Sequence, residues 1–167
     1  MAKHTLGLAS LKIGAVAGDG GMGTSLTAIG DTVPGTAIFS NEEGTTTDFF
    51  SEEADVPIES VESEPGTTTL VWSTYNLDAD AMVALFGGTK SSGPPVTYVP
   101  PDTIADIVGS IEVTDKKGNK LEIVRANIKA KKSINFNKTA LGQIDVVATV
   151  LVPTKAATKP WTLTYAS

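Results

Sequence analysis

Val124-Arg125-Ala126-Asn127-Ile128-Lys129-Ala130-Lys131 alternates apolar and polar side chains without a break. A period of two is the period of a β-strand, whose successive side chains point to opposite faces of a sheet. The stretch therefore predicts a strand with Val124, Ala126, Ile128 and Ala130 turned inward. Arg125, Asn127, Lys129 and Lys131 are turned out. Upstream, Ile107 to Thr114 reads as its partner. The two are joined by the turn Asp115-Lys116-Lys117-Gly118-Asn119, with the return strand running from Leu121 to Phe136. Downstream, Ile144 to Val152 is nearly continuous in apolar residues, the pattern of a central strand. Trp161, Leu163 and Tyr165 alternate with Thr162 and Thr164 in a last strand.

The rest of the chain agrees with a β class. Twenty-two threonines and many short apolar runs broken by Gly and Pro favour strands over helices. Leu11 to Val16 is the expected first strand, ending in the glycine-rich loop Gly18-Asp19-Gly20-Gly21-Met22-Gly23. Ala37-Ile38-Phe39 and Thr45 to Phe50 are further short strands. Val56 to Ser63 and Thr67 to Tyr75 flank Glu64-Pro65-Gly66, which predicts a hairpin turning at Pro65-Gly66. One helix is expected at about residues 78–86. Asn76 or Asp78 serves as its cap, Ala79, Met82, Val83 and Phe86 form one face, and Gly87-Gly88 the stop. Residues 90–103, rich in proline, are expected to form an extended loop. The fold class is thus mainly β: an antiparallel β-sandwich or half-barrel with one short flanking helix and long loops, in a single domain spanning residues 1–167.

Charge is sorted along this chain. Residues 41–80 carry eleven carboxylates and no Lys or Arg. Among the acids Glu52, Glu53, Asp55, Glu59, Glu62 and Glu64 form the densest run. Residues 116–138 carry eight basic groups, Lys116, Lys117, Lys120, Arg125, Lys129, Lys131, Lys132 and Lys138, against the single acid Glu122. Self-repulsion inside each patch opposes a compact monomer. A chain that repeats head-to-tail gains from such sorting, because one copy's acids face the next copy's bases. Two solvated faces of one β-domain would carry the same pattern.

Several chemistries find no footing. The chain has no cysteine and one histidine, His4, so thiolate metal sites, cysteine nucleophiles and histidine-based triads within one chain are excluded. Gly18, Gly20 and Gly23 spell a dinucleotide motif, but no helix is expected to open straight after them. The acids at 52–64 lack the ordered pattern of a calcium loop and the cleft that catalytic carboxylates need. Trp72, Tyr75, Tyr98, Trp161 and Tyr165 are dispersed and form no stacking platform. We expect no catalytic residue, no metal site and no cofactor. The net charge of −6 opposes tight phosphate-driven binding of nucleic acid. No apolar run approaches a membrane span, so no membrane insertion is expected. Lys3-His4 followed by Leu6 to Val16 faintly resembles a signal peptide, but Lys12 interrupts it and the segment reads as a strand.

The order of elements resembles a known family. The series runs from the first strand and glycine-rich loop to the acidic segment Ser51-Glu52-Glu53-Ala54-Asp55-Val56-Pro57-Ile58. It continues through the helix closed by Phe86-Gly87-Gly88-Thr89, the proline-rich loop and the turn Thr114-Asp115-Lys116-Lys117-Gly118. It ends in Phe136-Asn137-Lys138-Thr139-Ala140-Leu141-Gly142-Gln143-Ile144-Asp145. In this it resembles the major tail tube proteins of tailed bacteriophages, a fold shared with contractile tails and bacterial secretion tubes. The resemblance implies a non-enzymatic virion structural protein, made in the host cytoplasm, that self-assembles into stacked hexameric rings. The rings form a conduit for DNA ejection. Partners implied are further copies of itself, tape measure, terminator and baseplate or tip proteins, and duplex DNA that passes without tight binding. On this reading Glu52 to Glu64 form an acidic lumen or interface, and Lys116 to Lys132 a basic inter-subunit interface. The glycine-rich and proline-rich loops are expected to be inter-subunit arms. The alternative is an extracellular adhesin or carbohydrate-binding β-sandwich, which requires a discrete aromatic or calcium site and a monomer.

Overall fold

In the computed structural model, which describes residues 3–104 and 106–167, the chain begins with β1 (Leu8–Gly14), β2 (Thr27–Ala28), β3 (Ile38–Asn41) and β4 (Thr45–Phe49). It continues through β5 (Glu59–Glu64), β6 (Thr68–Thr74), α1 (Ala79–Phe86), β7 (Thr89–Lys90) and β8 (Tyr98–Val99). β9 (Ile107–Asp115), β10 (Lys120–Ser133), β11 (Gln143–Val150) and β12 (Trp161–Thr164) complete it. The main sheet is antiparallel in the order β2-β1-β9-β10-β11-β6-β3, with β12 also paired to β10.

The alternating stretch lies in β10, the longest strand. Its buried positions Val124, Ala126 and Ile128 are the expected ones. A register irregularity between Ile123 and Ala126 bends it, as an extra residue in one strand of a pair does. Before the bend β10 pairs with β12 and after it with β11, both opposite β9. One long bent strand thus shapes the whole sheet into a half-barrel. Inside lie Leu11, Leu70, Trp72, Ile111, Ile123, Ile128, Ile144 and Val146, all nearly or fully removed from solvent. β11 sits between β10 and β6 with Ile144, Val146 and Ala148 facing the core, while Val147 on its outer face stays exposed. The far edges curl toward each other. Phe39 of β3 meets Trp161 of β12 edge-on with ring centres 5.2 Å apart, and the segment after β2 bonds back to the end of β6 through Val33 N–H to Ser73 O, 2.8 Å.

The helix forms where expected. The Asp78 carboxylate accepts from Ala81 N–H at 2.7 Å, a side-chain cap. Gly87, at φ +74°, ends the helix in a conformation that costs other residues energy. Its buried face is Ala81, Met82 and Leu85, one step round from the face expected, with Val83 and Phe86 only half-covered.

Four other expectations are corrected. The first strand is Leu8–Gly14, because pairing with β9 runs from Leu8 to Gly14 and the chain turns away after it. The glycine-rich loop is pinned within the chain: Gly23 N–H donates to Ser110 Oγ at 2.9 Å, and Lys155 pairs with Asp19 at 2.6 Å. The proline-rich loop contains a short ladder, Thr89 opposite Val99 and Lys90 opposite Tyr98, that closes it at the base. The predicted hairpin of Val56–Ser63 with Thr67–Tyr75 does not form. β5 pairs with β4, and β6 pairs with β11 and β3. Pro65-Gly66 is a joint between two sheets.

Candidate functional site

The joint defines the most distinctive feature of the molecule. β3 pairs with β6 up to Asn41 opposite Thr68, and Glu42 N–H then donates to Thr67 O at 2.8 Å. The ladder resumes with Thr45 opposite Glu64 and runs to Phe49 opposite Glu59. Residues 42–67 are therefore one two-stranded arm growing out of the edge of the main sheet. At the joint the strands approach so closely that a Cβ on Gly66 would lie 1.9 Å from the Glu42 carbonyl oxygen. Only glycine fits there.

Every residue of β4 and β5 is exposed, on both faces. Cross-strand register sorts them. Phe49, Thr47, Glu59 and Val61 share one face; Asp48, Thr46, Ser60 and Glu62 share the other. At the tip Phe50, Val56 and Ile58 are each at least 60% exposed. Isolated two-stranded ribbons are marginal in water, and the apolar row on this one finds no cover among the described residues.

The structure locates all six acids of the expected acidic site on this arm. Glu52, Glu53 and Asp55 lie in the tip loop. Glu62 and Glu64 lie on the polar side of β5, and Glu59 on the side of Phe49. Alternation divides them as strand geometry requires. Sequence reasoning marked the acids but missed the apolar row among them. The signal that could have found it is Phe49-Phe50 and Val56-Pro57-Ile58 placed at opposite ends of one loop.

The basic residues do not form one surface. β10 spans 14 residues, or roughly 43 Å, and the basic set is strung along it. Lys116 and Lys117 occupy the β9–β10 turn, and Lys120 ion-pairs with Glu112 at 3.2 Å. Lys12 approaches the same carboxylate at 3.0 Å. The Lys12 hydrogen bond, opposed by burial and helped by Lys120, holds the Glu112 carboxyl below its usual range. Arg125 donates to the Val152 carbonyl at 3.2 Å, and the Lys132 ammonium lies 5.4 Å from the centre of the Phe86 ring. Lys129 and Lys131 stand exposed on the outer face of the sheet. There Lys129 continues a row of Val147, Val71 and Ile38, all partly exposed, and Lys131 lies opposite Asp145. The single basic interface expected from the sequence thus splits into a pair at the turn, a pair on the outer face, and three cations engaged within the chain.

The turn end is also where the two chain termini are tied. Asp115 accepts from Leu6 N–H, Lys117 N–H and Asn119 N–H, and from the Asn119 side-chain amide at 2.7 Å. Asn119, buried, also donates to His4 O and accepts from Ala166 N–H. Burial alone would raise the Asp115 carboxyl. The hydrogen bonds from Asn119, Leu6 and Lys117 outweigh it and leave the group below its ordinary value.

Among the described residues no three His, Asp or Glu side chains are grouped to hold a metal ion, and no helix is long and apolar enough to cross a membrane. A scan of protein-family models and a search of curated proteins found no match to this chain.

Proposed function

We infer that this protein is a structural subunit that assembles head-to-tail with copies of itself into stacked rings, forming the tail tube through which a bacteriophage ejects DNA. The observation that carries this reading is the arm of residues 42–67. It exposes both faces, carries nine carboxylates and no base, and adds an apolar row and tip. Such an element contributes nothing to the core of its own chain. It gains free energy only when a second surface covers it.

Two further features support the reading. The outer face of the main sheet carries the partly exposed row Ile38, Val71 and Val147 beside Lys129. Heterologous contact between unlike patches builds rings or filaments. The arm's polar face, with Asp48 and Glu62, would give a conduit the repulsive wall that passing DNA requires, since each neutralised phosphate adds affinity. Electron microscopy of the purified protein over a range of concentrations tests the reading: tubes or stacked rings are expected. A protein that stays monomeric in the hundreds-of-micromolar range, or a tube that binds duplex DNA tightly at moderate salt, would count against it.

A further inference from the structure

The half-barrel closes at one end only, where residues 29–33 bridge β1 to the end of β6. Between β1 on one side and β3 on the other lies a half-open cleft of about 910 Å³, lined by Leu6, Leu8, Phe39, Val113 and Leu163, with the core residues Leu11, Leu70 and Leu121 buried beneath them. β2 pairs only with Lys12 and Ile13. Leu8, Ala9 and Ser10 therefore line the cleft on an edge of β1 that no strand covers among the described residues. We propose that the arm tip of one copy, with Phe49, Phe50, Val56 and Ile58, seats in the seam cleft of a second copy. This rests on the self-assembly reading and names the surface that receives the arm.

Size, polarity and charge favour this occupant. A cleft of this volume is in the range that accommodates a few large side chains, and its floor is apolar. Aromatic side chains such as phenylalanine carry a large apolar area and dominate the energetics of such contacts. The arm is wholly acidic among its charges, and the turn end of the cleft is basic. The Lys116 side chain lies along Gly7 at the rim, Lys117 follows it, and Lys3 is held nearby on the Ala166 carbonyl. Asp115 beside them is already saturated by donors from its own chain, and Asp31 lies in the 30–35 loop across the cleft.

Geometry makes the seating intermolecular. The arm leaves the sheet at Asn41, next to Phe39 on the cleft wall, and its ladder carries Phe49 roughly 25 Å away along an extended strand. A paired ribbon cannot fold back through that distance onto its own root without breaking its ladder. The cleft of another copy is the accessible one, and a contact in which each copy gives an arm and receives one propagates head-to-tail.

Because the chain has no cysteine, a crosslinking test is unambiguous. Phe50→Cys places a thiol at the arm tip and Thr5→Cys at the cleft rim, both exposed positions. Under mild oxidation or with a short bis-maleimide, the double variant is expected to give a ladder of covalent multimers. A mixture of the two single variants is expected to give a dimer containing one of each. Phe50→Cys combined with Val147→Cys on the outer face is the comparison. If tubes form by microscopy but Phe50→Cys couples to Val147→Cys, or to neither, the seating is overturned and the tube reading stands. If neither tubes nor covalent multimers form at any concentration, both fall. Phe50→Ser is expected to raise the concentration needed for assembly about tenfold or more, and an unchanged value would also overturn the seating.

Discussion

Asn119 is the residue on which the ends of the chain depend. Its side chain and backbone join the β9–β10 turn, His4 and Ala166, and it is 5% exposed. Asn119→Ala leaves a donor-rich turn and two terminal segments without their partner, and is expected to cost about 1–3 kcal/mol, read as a lower urea midpoint. Acid should act through Asp115 and Glu112, both held below their ordinary values. A carboxylate whose folded pKa is depressed contributes stability above its unfolded value, near 4, and loses it as pH falls through the folded value. The midpoint should therefore fall between about pH 5 and pH 2. Asp115→Asn should be less stable at neutral pH and show a smaller fall. An equal fall in parent and variant would remove Asp115 from the acid response. None of this network is legible from sequence. Asp115-Lys116-Lys117-Gly118-Asn119 reads as a turn, but nothing in its spelling says that residues 4, 6 and 166 converge on it.

Elements built from local pattern were the most readable. The period-two alternation of β10, the cap-and-stop of α1 and the apolar run of β11 depend on near neighbours and on burial, and all appear where expected. Pairing was less readable. Pro65-Gly66 is as good a turn signal as any in the chain, yet it serves as a joint. β6 has a better partner in β11, with which it shares the buried row Trp72, Val146 and Leu70, Ala148, than in the wholly exposed β5. The arm can accordingly be removed. Because Glu42 and Thr67 already bond across the joint, replacing residues 43–66 with a two-residue Asn-Gly turn should close the ladder. The shortened protein is expected to unfold within about 1 kcal/mol of the parent, since nothing buried is lost, and to fail to assemble. A shortened protein that forms normal tubes would show the arm to be dispensable.

For the whole molecule, the split of the basic residues changes what charge would contribute to the proposed self-assembly. Lys120, Arg125 and Lys132 are engaged within the chain, which leaves the turn pair Lys116 and Lys117 and the outer-face pair Lys129 and Lys131. Reversing either pair to Glu should weaken assembly at 0.1 M salt, where the screening length is about 10 Å, and matter little at 1 M, where it is about 3 Å. Light scattering against protein concentration measures this, and a double variant that assembles like the parent at low salt would remove that pair from the interface. Sequence by itself determined the β class, the helix and its limits, the central strand and the segregation of charge, because each follows from short-range periodicity, capping or counting. Tertiary structure alone decided that the acidic segment is a projecting arm with an apolar row, that the basic set divides, and that the half-barrel leaves a cleft between its edges. Those outcomes depend on which strands compete successfully for one another and on where a long strand bends. Pairing energy is settled between residues far apart in the chain, which no local pattern encodes.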